Sequence, residues 1–118
     1  MFSKKIEYGY IIIQELKETN ELNTKLGKDI LKNIQVPYNM GLGILSELSK
    51  SELIISTKGK NGGYYLKNKD ITFFELFNSL EIVSKVKRNK YNDVSYKEKI
   101  LKINLHFLND LKNIKILD

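Results

Sequence analysis

The sequence predicts a mainly α-helical chain with one small β-hairpin, an α+β class. Three observations predict it. Apolar residues recur at helical spacing along most of the 118 residues. One stretch, residues 56–66 (S-T-K-G-K-N-G-G-Y-Y-L), places three glycines and two lysines between β-prone ends. The one proline, Pro37, falls between two short helical patterns and suits the first turn of the second, where its missing N–H costs nothing. The length predicts one domain, and 42% hydrophobic content is enough for a real core.

The elements follow in order. Ile6, Tyr10, Ile13 and Leu16 lie at helical spacing, which predicts a first helix over residues 3–17 with Ser3 as its N-cap. Residues 19–23 are polar and read as a loop. Residues 28–34 read as a short helix burying Ile30, Leu31 and Ile34, and a turn at Gln35 and Val36 leads into a helix that runs to Lys50. Ile44, Leu45 and Leu48 face the core from that helix. Two helices joined by about three residues form a helix-turn-helix. A strand over 53–56, a glycine-rich tip and a return strand over 63–67 follow. Thr72 and Glu75 form a capping box that starts an apolar helix carrying Phe73, Phe74, Leu76, Phe77 and Leu80. Residues 82–94 are a polar, basic loop. A last helix is expected over residues 95–113, with Ile100, Ile103, Phe107, Leu111 and Ile114 in one stripe. Leu101, Leu105 and Leu108 widen that stripe beyond what one neighbour needs, which points to a second copy of the chain.

The glycine-rich hairpin directly after an amphipathic helix looks like the wing of a winged helix-turn-helix domain, expected over residues 1–81. Gly59, Gly62 and Gly63 can take backbone angles closed to other residues. Lys58 and Lys60 stand on the tip with little apolar company. The net charge of +6 suits an anionic partner such as DNA, although abundant Lys, Asn and Ile together also reflect the bias of AT-rich coding. Several classes are excluded or disfavoured. With no cysteine there is no disulfide, no thiolate nucleophile and no cysteine-ligated cluster. No apolar run approaches the roughly 20 residues needed to span a bilayer. The start, M-F-S-K-K-I-E-Y, is not a signal peptide, so a soluble cytoplasmic protein is expected. One His and no carboxylate pair at motif spacing argue against an enzyme. G-K-N-G-G also lacks the G-K-[ST] ending of a P-loop.

The order helix, helix-turn-helix, hairpin, short helix, long helix resembles the Rrf-two family of small bacterial winged-helix regulators. Ser56, Lys58, Gly59, Gly62, Gly63, Tyr64 and Leu66 resemble its wing motif, which usually carries Arg where Lys58 stands. Asp29 and Ile30 look like the acidic-Ile pair opening its second helix, and Leu48, Leu53 and Ile54 match the helix end and first wing strand. The resemblance implies a transcription regulator that binds a near-palindromic DNA operator as a homodimer, paired through the last helix. It implies DNA contacts from Tyr38 (phosphate) and Asn39 (base edge), and from Leu42 and Gly43 where the family reads bases. The wing residues Lys58, Gly59, Lys60, Asn61 and Gly62 would follow the backbone or enter the minor groove, and Lys4 and Lys5 would meet phosphates.

The chain also departs from the family. Met40-Gly41-Leu42-Gly43 stands where Tyr-Leu-Glu-Gln is common, Gln35 where the turn prefers Gly, and Glu52 where a helix-ending Gly is expected. Leu42 can touch a thymine methyl, and Gly43 lets the backbone approach. The three cysteines of cluster-binding members are absent. Glu7 and His106 fall near positions that supply ligands in some members, but no metal or cofactor is expected here. The effector is left open between a small molecule and a protein. The alternative reading is a winged-helix protein-interaction module that has lost base-specific DNA reading, motivated by its neutral recognition-helix face.

Overall fold

A computed structural model of the chain describes residues 3–60, 62–82 and 109–117. Helix α1 (Lys4–Glu15) starts at Ser3, whose Oγ accepts the Ile6 N–H at 3.3 Å. It ends two residues short of the expected Lys17. Helix α2 (Gly27–Lys32) begins one residue earlier and ends two earlier than the apolar pattern suggests, leaving Ile34 half-buried in the turn. Helix α3 (Tyr38–Lys50) has Pro37 as its N-cap rather than in its first turn, with φ −54° and ψ 133°. The proline still surrenders no hydrogen bond there.

Strands β1 (Ile54–Thr57) and β2 (Gly63–Leu66) pair antiparallel, with Ile54 opposite Leu66 and Thr57 opposite Gly63. β1 thus lies one residue beyond the expected 53–56, and β2 stops one short of Lys67. The hairpin is wider than the sequence suggests. Lys25, just past the expected loop, pairs with Tyr64 through N–H···O bonds of 2.9 and 2.7 Å. That third rung explains Gly63. Its φ is +147°, and a Cβ there would sit 2.6 Å from the Lys25 carbonyl oxygen. Thr19, fully buried behind the hairpin, donates to Leu16 O at 2.6 Å and accepts the Leu66 N–H at 3.1 Å. It closes the end of α1 onto β2.

Helix α4 (Phe73–Phe77) carries the expected capping box, Glu75 N–H to Thr72 Oγ1 at 3.3 Å and Thr72 N–H to Glu75 Oε1 at 3.3 Å. It runs on into a π-helical turn, Asn78–Ile82. One core joins all the elements: Ile6, Ile12, Ile13 and Leu16 from α1, Ile30 and Leu31 from α2, Ile44, Leu45 and Leu48 from α3, Ile54 and Leu66 from the hairpin, and Ile71, Leu76 and Leu80. Ile12, outside the Ile6, Tyr10, Ile13 and Leu16 spacing, is fully buried, while Tyr10 stacks on Phe73 at 5.6 Å.

Of the expected last helix only its end is described, with residues 109–111 helical. Ile100, Ile103 and Phe107 lie outside the described residues, as does the loop from residue 83. The chain then turns and runs back along the first residues of α4. Phe73 N–H donates to Ile114 O and Ile116 N–H to Ile71 O, each at 2.9 Å. Gln14 Nε2 donates to Ile116 O at 2.8 Å, and Lys115 pairs with Asp70 at 3.2 Å. Ile116 and Leu117 enter the common core, and Leu111 is buried against Phe73, Phe74 and Phe77. The helix stops at residue 111, two short of the expected 113, so Ile114 lies past it rather than on its stripe, because its carbonyl pairs with the Phe73 N–H; its side chain is 48% exposed.

Helix α3 ends without glycine. Glu52 takes φ +63°, the left-handed conformation, while Leu53 N–H reaches Leu48 O and Glu52 N–H reaches Ser49 O, both at 3.0 Å. This is the Schellman arrangement, which usually uses Gly. Glu52→Gly is expected to raise stability by about 1 kcal/mol by removing the Cβ strain, since the exposed Glu52–Lys67 pair contributes little. Thr19→Val keeps the shape but strands the Leu66 N–H, and is expected to cost about 2 kcal/mol. Urea unfolding, read as midpoint shifts at constant slope, checks both signs.

Candidate nucleic-acid interface

Helix α3 divides into two faces. Gly41, Ile44, Leu45 and Leu48 are buried. Asn39, Leu42, Gly43, Ser46 and Lys50 are exposed at spacings of three and four, one stripe along the helix. Tyr38 and Met40 flank its start, 56% and 46% exposed, and Leu42 is 39% exposed. The helix's first internal bond is Gly41 N–H to Pro37 O at 2.8 Å, and no side chain caps the N-terminus. The N–H groups of the first turn therefore face outward.

The two helix glycines serve different ends. A Cβ on Gly41 would stand 2.5 Å from Leu31 Cδ2, so this glycine lets α2 and α3 close on each other. Gly43 has nothing within 4 Å of its Cβ position and interrupts the exposed stripe with a bare patch of backbone.

The sequence-derived basic residues separate into two groups. Lys5 is held by Glu47, with its Nζ 2.9 Å from Oε1 and 2.7 Å from Oε2, and ties α1 to α3. Lys4 pairs with Glu7 at 3.3 Å on the surface. Lys58 and Lys60 stand exposed on the hairpin tip, and neither makes an ion pair among the described residues. Gly59 takes φ +102° and turns the tip, and Gly62 packs so close to Thr57 O that a Cβ would lie 2.7 Å away. Asn61 lies outside the described residues. Thr24 Oγ1 bonds Gly62 O at 3.3 Å and braces the wing from below. Lys28 and Lys32 on α2 and Lys50 on α3 are also exposed and free of ion pairs among the described residues. These three and Ser46 were missed by sequence reasoning. Continuing the Leu42 and Gly43 spacing by one and two turns reaches Ser46 and Lys50.

A helix-turn-helix that shows one stripe of its second helix, followed by a braced basic hairpin, defines a winged-helix domain. A family model described as Rrf2, iron-dependent transcriptional regulator, matches residues 2–118, and the chain belongs to that family. Its members are transcription regulators, not enzymes. Among solved structures, CymR (YrzC), the global cysteine regulator of B. subtilis, is similar at 24% identity over 98% of this chain and 92% of that chain, with a TM-score of 0.69. Staphylococcus aureus CymR in its oxidized form gives 19% identity, 98% and 92% coverage and a TM-score of 0.64. T. potens IscR gives 21%, 98% and 82% coverage and a TM-score of 0.64. At these identities the likeness shows the fold. No curated protein matches.

The family description names iron, and the donor set of this chain does not fit a thiolate-held cluster. There is no cysteine in the sequence. Among the described residues no three His, Asp or Glu side chains converge on a metal position, and the Glu7 carboxylate is occupied by Lys4. His106 lies outside the described residues. Among the described residues no helix is long and apolar enough to cross a membrane.

The two glycines give predictions of opposite sign. Gly43→Ala is expected to stabilise the fold by about 1 kcal/mol, the helix-propensity difference at an open site. Gly41→Ala is expected to destabilise it by about 1 kcal/mol, because the buried Leu31 must be displaced from a packed core. Thermal melts of the two variants beside the parent chain read both.

Proposed function

We propose that this chain is a DNA-binding regulator that acts as a homodimer on a near-palindromic operator. The observation that carries the reading is the exposed stripe Asn39, Leu42, Gly43, Ser46, Lys50 on a helix whose other face is locked into the core. Such a helix enters the major groove, and its N-terminal residues meet base edges. Phosphate contacts come from the unpaired lysines of α2 and the wing and from the first-turn N–H groups of α3, with Tyr38 beside them. Lys5 acts through Glu47, fixing the angle of α3 against α1, and Lys4 is the nearer candidate for a phosphate. Family membership supports DNA as the partner.

Two copies would place two α3 helices about 34–36 Å apart on one face of the duplex, which makes the site palindromic. The pairing surface is the stripe Ile100, Ile103 and Phe107, with the exposed Ile114 past the helix end as a further contact. Leu111, buried on α4, anchors it to its own winged domain. A second reading, a protein-docking module, draws on the exposed Tyr38, Met40 and Leu42.

Mobility-shift titration against the chain's own promoter region is the test. Binding is expected to weaken steeply with salt, and Lys58→Ala and Lys60→Ala each to lower the salt slope by about 1 and weaken all sequences alike. Asn39→Ala is expected also to relax preference between sequences. Retention of neither promoter nor genomic DNA at low salt overturns the proposal and leaves the docking module. Sedimentation of the free protein at the mass of one chain overturns the homodimer.

A further inference from the structure

We infer that the recognition helix reads A·T pairs, through thymine C5-methyl groups and adenine edges, and takes an A·T-rich half-site. The inference rests on the DNA-binding reading above and names the bases. Its ground is the set of side chains that α3 can bring to a groove floor.

The exposed residues of the first two and a half turns are Tyr38, Asn39, Met40, Leu42, Gly43 and Ser46. No Arg or Lys is among them to fork onto guanine O6 and N7, and no Asp or Glu to accept from cytosine N4. Glu47, next along, is turned inward onto Lys5 at 2.7 Å. The first exposed charge on α3 is Lys50, eleven residues beyond Asn39, which is about 16 Å along the axis. Base edges are met by the N-terminal residues of a recognition helix, and Lys50 lies well beyond them.

What is present favours the other pair. Asn39 has the amide that bonds adenine N6 and N7 together. Leu42 and Met40 are exposed apolar side chains, and the only apolar group on any base edge in the major groove is the thymine methyl. Gly43 lies beside Leu42 in the stripe with open space at its Cβ position, a shallow seat into which a methyl can settle. Ser46 bonds either kind of pair and adds no preference against the others. The wing agrees. Lys58 and Lys60 are unpaired cations on a narrow glycine-rich tip, and A·T tracts have the narrow, strongly negative minor groove that attracts such cations.

The experiment is selection of bound duplexes from a random library with the full chain at low salt. Uracil is then substituted for thymine in the selected duplex, which deletes the methyl and nothing else. The expected result is A·T steps at the centre of each half-site and about fourfold weaker binding per contacted methyl lost. Leu42→Ala is expected to weaken the thymine duplex and to reduce the thymine-over-uracil ratio by about the fourfold of one methyl contact. Gly43→Ala is expected to bind the thymine duplex about tenfold less well with its fold intact by circular dichroism. Selected sites anchored on G·C pairs, or equal affinity for thymine and uracil duplexes, overturn the A·T inference and leave DNA binding standing. Recovery of no duplex overturns the DNA-binding reading, and this inference falls with it.

Discussion

Everything outward on this protein depends on how closely α3 lies in the core. Gly41 meets Leu31 with no room for a side chain between them, and Ile44, Leu45 and Leu48 continue the same buried line. A helix held along one whole face cannot rotate about its axis without breaking that packing. The opposite stripe is therefore fixed in direction, with Lys5 and Glu47 pinning it from α1. A recognition surface needs this rigidity, because base reading depends on placement to a fraction of an ångström.

Charge is distributed to the same end. The paired lysines, Lys5, Lys25, Lys67 and Lys115, stitch elements together. Lys28, Lys32, Lys50, Lys58 and Lys60, free of ion pairs among the described residues, lie on the helix-turn-helix and the wing, while Lys17, Lys69 and Lys112 lack ion pairs elsewhere on the chain. A raw net charge could not separate the two groups, because four of these lysines act as internal ties. The wing gains its order from below: Lys25 pairs with Tyr64, and Gly63 exists to let that rung form.

The chain belongs to the Rrf2 family and contains no cysteine. What joins the C-terminal part to the winged domain here is backbone pairing and burial: residues 114–117 lie along the start of α4, Ile116 and Leu117 fill the core, and Gln14 bonds the Ile116 carbonyl. That segment ties α1 to the start of α4.

Much of this was legible in order. Helical spacing, the Thr72 and Glu75 box and the glycines of residues 56–66 each carry local information, because caps, periodicity and left-handed turns are decided by residues within one turn of each other. So the sequence by itself determined the order of elements from α1 to α4, the winged-helix class and the family, and it singled out Leu42, Gly43 and the wing lysines. Only the tertiary structure decided the rest. It made Gly41 a packing residue and Gly43 an open one, though the sequence shows two identical glycines. It turned Lys5 from a free cation into a tie, gave Lys25 a strand's role, and sent Leu111, Ile116 and Leu117 into their own chain's core. Each of these depends on a partner between 10 and about 100 residues away along the chain, and no local pattern encodes which distant backbone or carboxylate a side chain will meet.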